Sequence, residues 1–375
     1  MPMTSNQTPG SFPADTAALH GVTVLDFSHV MAGPFATFYL AMLGARVVKI
    51  ENPLRGDSLR NKPKNFQAFN HGKEILSIDL SSQAGRKQAW ELFEQCDVMV
   101  DNMRPGVMEK FGFGQSQVRS IKPSLIHCNI SAYGLKSEWS KRPAYDHVIQ
   151  AASGMAMMSG LPDGGPVKVG FPVIDCATGM VGALAIIAAI RRRDLTGLGE
   201  SLDASMFGAA MQLMYPMTVM AMDSGEAPPR MGNVGFTGSP GAEIVQCKDG
   251  CIALGANTPQ QMIALARVLN IEAQILPLLE GQTRGFVSNI HLQKFRHLLA
   301  TALRNESVLD LEDRLNAAKV PAAWVRNLGQ AVKEGLDNGS LQDWPIKGEH
   351  AMHLPGLGFR AETLFAGDSQ PPASE

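Results

Sequence analysis

Val22-Thr-Val-Leu-Asp-Phe-Ser28-His-Val-Met-Ala-Gly33-Pro34, followed by Leu43-Gly44 and Val47-Val-Lys-Ile50, is the stretch from which the fold is read. Residues 22–27 form the short apolar run that a buried strand carries. Residues 28–33 read as a turn. Pro34 suits the start of a helix, because its missing N–H would have no partner there anyway. That helix is expected to reach Leu43 and to stop at Gly44, with residues 47–50 as the next strand. Strand, helix and strand in succession make a βαβ unit, and hence a parallel sheet with a right-handed crossover.

Working outward, residues 98–100 and 125–130 read as further strands, with helices over 83–94 and 107–111 between them. A helix over 180–193 and a strand near 200–204 extend the same region. Beyond Met222 the texture changes. Gly, Pro and Asn punctuate residues 225–241, and residues 242–254 alternate around the turn Asp249-Gly250. Helical patterns follow over 258–269 and 292–303, and residues 320–325 open a last short α/β segment. The expected fold is therefore α/β: a Rossmann-like parallel-sheet large domain over residues 19–222 and a smaller α+β domain over 223–325. A C-terminal segment, 326–375, returns to the large domain, and residues 1–18 form a flexible tail. There is no internal repeat.

The chain has 375 residues, 45% hydrophobic and 18% charged, with a net charge of −2. That balance gives no footprint for nucleic acid, so any anionic ligand needs a local cluster of Lys and Arg. The five cysteines are scattered, and Cys247 and Cys251 only flank a turn. No second pair of soft ligands stands near them, so no metal site is expected, and reduced thiols in a cytoplasmic protein are. The N-terminal residues lack the basic and apolar regions of a signal peptide. Residues 204–222 are almost wholly apolar but contain Gln212 and Pro216. They read as a buried helix broken near Pro216, with methionines packed against another subunit, and not as a membrane span.

The first βα turn is the natural ligand mouth of an open α/β sheet. Here it holds one glycine and no dinucleotide fingerprint, which argues against a nicotinamide or flavin enzyme. Basic residues gather nearby: Arg55, Arg60, Lys62, Lys64, Lys73, Arg104 and Lys110. They are either solvated loop residues or, as a group, a seat for a phosphorylated ligand. Further on, Pro172-Val-Ile-Asp175 runs towards the apolar residues 180–190 and Arg191-Arg-Arg193, with Gly197 just beyond. Asp175 stands where an N-cap belongs. There it would meet exposed N–H groups and the positive end of the helix dipole, and should stay ionised. That suits a carboxylate nucleophile and an ordinary cap alike. His29 lies in the ligand-facing turn, in an active-site or a structural role, and His127 reads as core.

Taken in order, these pieces resemble the family III CoA-transferases, the CaiB/BaiF family that includes formyl-CoA and carnitine CoA-transferases. The resemblance rests on residues 24–34 and 43–51, Gly56-Asp-Ser-Leu-Arg60, Lys73 to Leu80 and Asp101-Asn-Met-Arg-Pro-Gly106. It continues through Asn129 to Gly134, Tyr145-Asp-His-Val-Ile-Gln-Ala-Ala-Ser-Gly154, Asp175-Cys-Ala-Thr-Gly179, residues 193–200, Lys248-Asp-Gly250 and Val320-Pro-Ala-Ala323. It implies that Asp175 is the nucleophile and that CoA or acyl-CoA is a substrate, with no permanently bound cofactor. By residue-by-residue transfer it assigns CoA contacts to Met31, Ala32, Asn52, Ile78, Asp79, Leu80, Ser81, Asn102, Met103, Arg104, Lys110 and residues 143–146, among them Tyr145 and Asp146. His29 resembles an active-site position. Asn52 and Met103 stand where some relatives carry basic residues, so Arg55, Arg60 or Lys73 is expected to compensate. The resemblance also implies an interlocked homodimer.

The implied chemistry is transfer of CoA from an acyl-CoA donor to a small carboxylic acid, through an aspartyl anhydride and an aspartyl-CoA thioester. Cys176 and Ala177, at the helix start, are expected to supply oxyanion donors, and a loop over residues 232–241 to exclude water. The alternatives are a 2-methylacyl-CoA racemase using Asp175 as base, a non-catalytic acyl-CoA-binding protein, and slow thioester hydrolysis. The racemase's partner histidine would fall at Tyr145, and a phenol is a poor shuttle for an α-proton near neutral pH.

Overall fold

The computed structural model describes residues 17–282, 284–287, 291–346 and 351–361. The expected tail lies outside these residues except for its last two. Ala17 is already buried, and the Leu19 amide donates to the Leu43 carbonyl at 2.8 Å.

Six strands form one sheet: β1 (Thr23–Asp26), β2 (Arg46–Glu51), β3 (Lys73–Ser77), β4 (Val98–Asp101), β5 (Ile126–Ser131) and β6 (Ser201–Ser205). Their order is β3-β2-β1-β4-β5-β6, and every pairing is parallel. Direction reverses between β1 and β4, where such sheets leave a crevice outside their carboxyl ends. The helices of this part are α1 (Ala32–Met42), α2 (Pro63–Asn70), α3 (Gln83–Gln95), α4 (Val107–Lys110), α5 (Gln115–Ile121), α6 (Asp146–Ala152), α7 (Met155–Met158), α8 (Val173–Thr196), α9 (Met206–Leu213) and α10 (Tyr215–Ser224).

Side chains alternate along a strand, so each central strand feeds two cores. Val24, Val47, Val98, Val100 and Ile126 pack with α1 and α8, while Leu25, Val48, Ile50 and Met99 pack with Phe93, Met108 and Phe113. Burial on both faces is why these strands read as unbroken apolar runs. The edge strand β3 escapes that reading because, of its five residues, only Lys73 is buried.

Two expectations are corrected in this region. The helix expected over 180–193 runs from Val173 to Thr196, ending as foreseen at a left-handed Gly197. Its extra N-terminal turns are poor in strong helix formers, and packing supplies what propensity lacks. Gly179 makes that packing possible, since a Cβ there would lie 2.9 Å from the Ala32 carbonyl oxygen. Among the described residues, α8 alone is long and apolar enough to cross a membrane, yet Ile174, Ala183, Ile186 and Ile190 are buried inside the protein. The second correction concerns residues 204–222. The chain does break near Pro216, between α9 and α10, but α10 buries none of its residues, so it is no core helix in the single chain.

The chain divides into two compact units. The larger comprises the residues up to Ala156, Lys168–Glu226 and those from Gly339 on; the smaller comprises Met157–Val167 and Ala227–Asn338. In the larger unit, the hairpin β10 (Trp344–Ile346) and β11 (Met352–Leu354) adds Trp344, Ile346 and Leu354 to the α1/α8 core. The smaller unit has its own antiparallel sheet, β7 (Ile244–Gln246), β8 (Cys251–Leu254) and β9 (Ala322–Trp324), in that order. Its helices are α11 (Pro259–Val268), α12 (Glu272–Ile275), α13 (Leu292–Leu303), α14 (Val308–Ala317) and α15 (Leu328–Asp337). Residues 320–325 were expected to open a new α/β segment. Instead β9 closes this sheet, because Val320 is fully buried in the same core as Ile252 and Leu254.

Candidate active site

The turn between β1 and α1 lies at the carboxyl edge of the sheet and is built from buried charge. Asp26 ends β1 fully buried. It accepts from the Ser28 amide (2.8 Å), the Ser28 hydroxyl (2.5 Å), the Thr37 hydroxyl (2.6 Å) and the Lys73 ammonium (3.2 Å). Burial alone would raise its pKa. The ammonium groups of Lys73 and Lys49, with the two hydroxyls, outweigh that and hold it at about 2. The Lys49 ammonium donates to the Ser28 carbonyl (2.5 Å) and pairs with Asp57 (3.2 Å), both side chains being fully buried. Asn102 accepts from the His29 amide (2.9 Å) and donates to the His29 carbonyl (2.7 Å). Val30 follows with φ +68°, and its amide donates to both Asp57 oxygens, at 3.2 and 3.1 Å.

The second component is the first turn of α8. Its cap position is held by Pro172, and Asp175 is inside the helix, so the expected N-cap role is not observed. The cap comes from elsewhere: Asp146 on α6 accepts from the amides of Ile174 (2.7 Å) and Asp175 (3.0 Å) through one oxygen. Its other oxygen accepts from Gln150 (2.6 Å), whose own carbonyl oxygen accepts from the Val169 amide (2.8 Å). The Asp175 carboxylate makes no hydrogen bond among the described residues. Burial and then the neighbouring Asp146 carboxylate push its pKa up to about 7. The helix dipole pulls the other way but does not prevail, so the expectation of a fully ionised group is corrected. The Cys176 amide donates to the Pro172 carbonyl at 3.1 Å and is not a free oxyanion donor.

The remaining expected contacts separate into groups. Met31, Ala32, Asn52, Met103, Arg104 and the turn Ile78 to Ser81 follow carboxyl ends of parallel strands, the same edge of the sheet at which α8 begins, and α8 crosses α1 at Gly179. Arg104 and Lys110 are exposed and form no ion pair among the described residues. Arg60 is engaged bidentately by Glu51 (2.6 and 3.2 Å) and lies over the Phe66 ring. Lys73 cannot reach a phosphate: its ammonium is enclosed by Asp26, the Pro34 carbonyl (2.8 Å) and Asn70 (3.0 Å). Asn52 spends its side-chain oxygen on the amides of Leu54 and Arg55, and Asp79 accepts from Ser81 (2.6 Å). The Asn102 amide is consumed by His29. Ile78 is core, while Tyr145 is exposed.

The His29 ring is half-buried. Burial and Lys49 lower its pKa, against the pull of Asp57, Asp26 and Glu51. Beside these residues, a cavity of 230 Å³ is lined by Met103, Arg104, Met108, Gln115, Leu135 and the buried pair Asp101–His127 (2.7 Å). Sequence reasoning missed Lys49 and Asp57. A signal was there, since a lysine inside the apolar run of β2 must find a buried partner.

The model of CoA-transferase family III matches residues 19–373. Succinyl-CoA:mesaconate CoA-transferase of Haloarcula marismortui is 33% identical over 375 residues, spanning 90% of this chain and 92% of that protein. Succinyl-CoA:glutarate CoA-transferase of Mus musculus is 27% identical over 367 residues, 94% of this chain and 83% of its own length. Among solved structures, Rv3272 from M. tuberculosis superposes with a TM-score of 0.82 at 27% identity, covering 96% of both chains. A CAIB/BAIF family protein from Brucella suis gives 0.75 at 25% identity, covering 91% of this chain and 95% of that one.

Proposed function

The chain belongs to CoA-transferase family III, and from that premise we propose that it moves CoA from an acyl-CoA donor to a small carboxylic acid through covalent intermediates on Asp175. The observation that carries the proposal is the Asp175 carboxylate itself. It is half-buried, backed by Asp146 and without a hydrogen bond among the described residues, in the first turn of the helix that packs on α1 at Gly179.

The ionised carboxylate attacks the thioester carbonyl, expelling CoA thiolate and forming a mixed anhydride. The thiolate then attacks the aspartyl carbonyl, which releases the donor acid and leaves an aspartyl-CoA thioester. An acceptor carboxylate attacks that thioester and again expels thiolate. Attack of the thiolate on the new anhydride's acyl carbonyl yields the new acyl-CoA and regenerates Asp175. No net proton is exchanged. Each step converts between species of similar energy, which is what covalent catalysis by a carboxylate offers.

Arg104 and Lys110, with the likewise exposed Arg55, are the basic residues we assign to the CoA phosphates, since Lys73 and Arg60 are engaged. Relatives are named for mesaconate, glutarate and oxalate, so a small dicarboxylate is the proposed acceptor. The homodimer belongs to the same proposal. A second copy would cover the apolar residues of α8 and α10 that the single chain leaves open, such as Leu184 (68% exposed) and Met222 (82%).

One observation favours a second reading. A carboxyl group with a pKa of about 7 is also suited to taking and returning an α-proton, the racemase chemistry. Incubation with a panel of acyl-CoAs, hydroxylamine trapping and peptide mapping distinguish the two. An adduct on Asp175 that is absent from Asp175→Ala supports transfer. Deuterium entering the α-carbon from heavy water, without an adduct, supports the racemase.

A further inference from the structure

We infer that Asp57 is a positioning residue. It holds Val30 in the left-handed conformation and thereby sets the path along which His29, Met31 and the start of α1 leave the sheet. A β-branched residue at φ +68° is a genuine outlier and persists only where the surroundings over-determine it. Here they do. Five successive backbone groups, from the Ser28 amide to the Val30 amide, are each bonded by a side chain from elsewhere: Asp26, Lys49, Asn102 (twice) and Asp57. The His29 carbonyl and the Val30 amide are the two ends of one peptide unit, clamped by Asn102 and by Asp57, and Asp57 is the group that engages the N–H of the strained residue itself.

Asp57 is itself fixed. Its amide donates to Glu51 (3.2 Å), one of its oxygens accepts from the Leu59 amide (2.9 Å), and the other pairs with Lys49. Both oxygens face donors only, so an asparagine must turn its NH₂ group towards either Lys49 or two backbone amides. The charge and both acceptors are therefore required together. Without them, Val30 relaxes to negative φ, the peptide that follows it turns, and Met31 and Ala32 move.

The catalytic half of this inference rests on the proposed CoA transfer; the conformational half does not. The test is a cycle of Asp57→Asn, Val30→Gly and the double variant, read by kcat and KM for CoA exchange and by denaturant unfolding. Asp57→Asn is expected to lower kcat on the order of tenfold to a hundredfold, since small misplacements cost that much, with a lesser change in KM. Val30→Gly is expected to restore most of that loss, because glycine takes positive φ without a clamp. A purely structural role for Asp57 predicts no such rescue. An equal loss in both backgrounds, or no loss, overturns the inference. If Asp57→Asn does not fold, Asp57→Ala with Lys49→Met removes both buried charges and takes its place in the cycle. If the wild type exchanges CoA with no donor, the functional reading fails, and the unfolding cycle decides by itself. A smaller destabilisation by Asp57→Asn in the Val30→Gly background upholds the clamp, and equal destabilisation overturns it.

Discussion

The N-termini of α1 and α8 approach the same edge of one sheet, yet they treat an aspartate in opposite ways. Asp26, beneath α1, is surrounded by Lys49, Lys73 and two hydroxyls and is held at about 2. Asp175, in the first turn of α8, has burial and a second carboxylate for company and is pushed to about 7. The residue type is the same and the difference lies in the neighbours. A carboxylate matched to cations becomes a permanent anion that organises backbone, whereas one left beside Asp146 keeps a proton within reach at neutral pH. The first is a foundation and the second a reagent.

The sharpest way to break that contrast is Asp175→Asn. Without a nucleophile, CoA exchange is expected to fall on the order of 10⁴-fold or more, with the circular dichroism spectrum unchanged. Retained exchange would remove Asp175 from the chemistry. The complementary change, Lys73→Met, should strike stability instead. Removing one partner of a buried pair costs about 3–5 kcal/mol, read as a lower urea midpoint at constant slope.

A smaller effect isolates the influence of Asp146. The nucleophile must be ionised, so kcat/KM should rise with pH and level off above about 7. Asp146→Asn removes the second-ranked cause of the shift and should move that limb downward by about one pH unit, with an acid-side rate gain of up to about tenfold. An unmoved limb would leave burial as the sole cause.

The smallest expected effect is on stability against pH. A raised carboxyl pKa favours the folded state below pH 3.8, and that contribution is lost as pH rises through about 7. Wild type should therefore lose stability relative to Asp175→Asn between pH 4 and 7, and the difference should be flat above that. A flat difference across pH 4 to 7 would mean that Asp175 is ionised throughout that range.

Much of the larger unit was legible before any coordinates. Strands β1, β2, β4 and β5 are buried on both faces, so their apolar runs announce them, and Pro34 and Gly197 mark helix ends through their own backbone chemistry. Strand β3 was silent because an exposed edge has no hydrophobic pattern to display. The start of α8 was misread because Asp175 looks like a cap when only its neighbours in sequence are considered. The true cap, Asp146, lies 29 positions before it.

The sequence by itself determined the α/β class, the parallel sheet, the family and the candidacy of Asp175. Each of these follows from local periodicity or from motifs in a fixed order. Only the tertiary structure decided which charges are available for chemistry. Lys73 and Arg60 look, in sequence, like members of the same basic cluster as Arg104 and Lys110. Folding encloses the ammonium of Lys73 with Asp26, engages Arg60 with Glu51, and leaves Arg104 and Lys110 exposed. Whether an ionisable group serves as foundation or as reagent depends on its desolvation and on the charges within a few ångströms. Those distances arise between residues far apart along the chain.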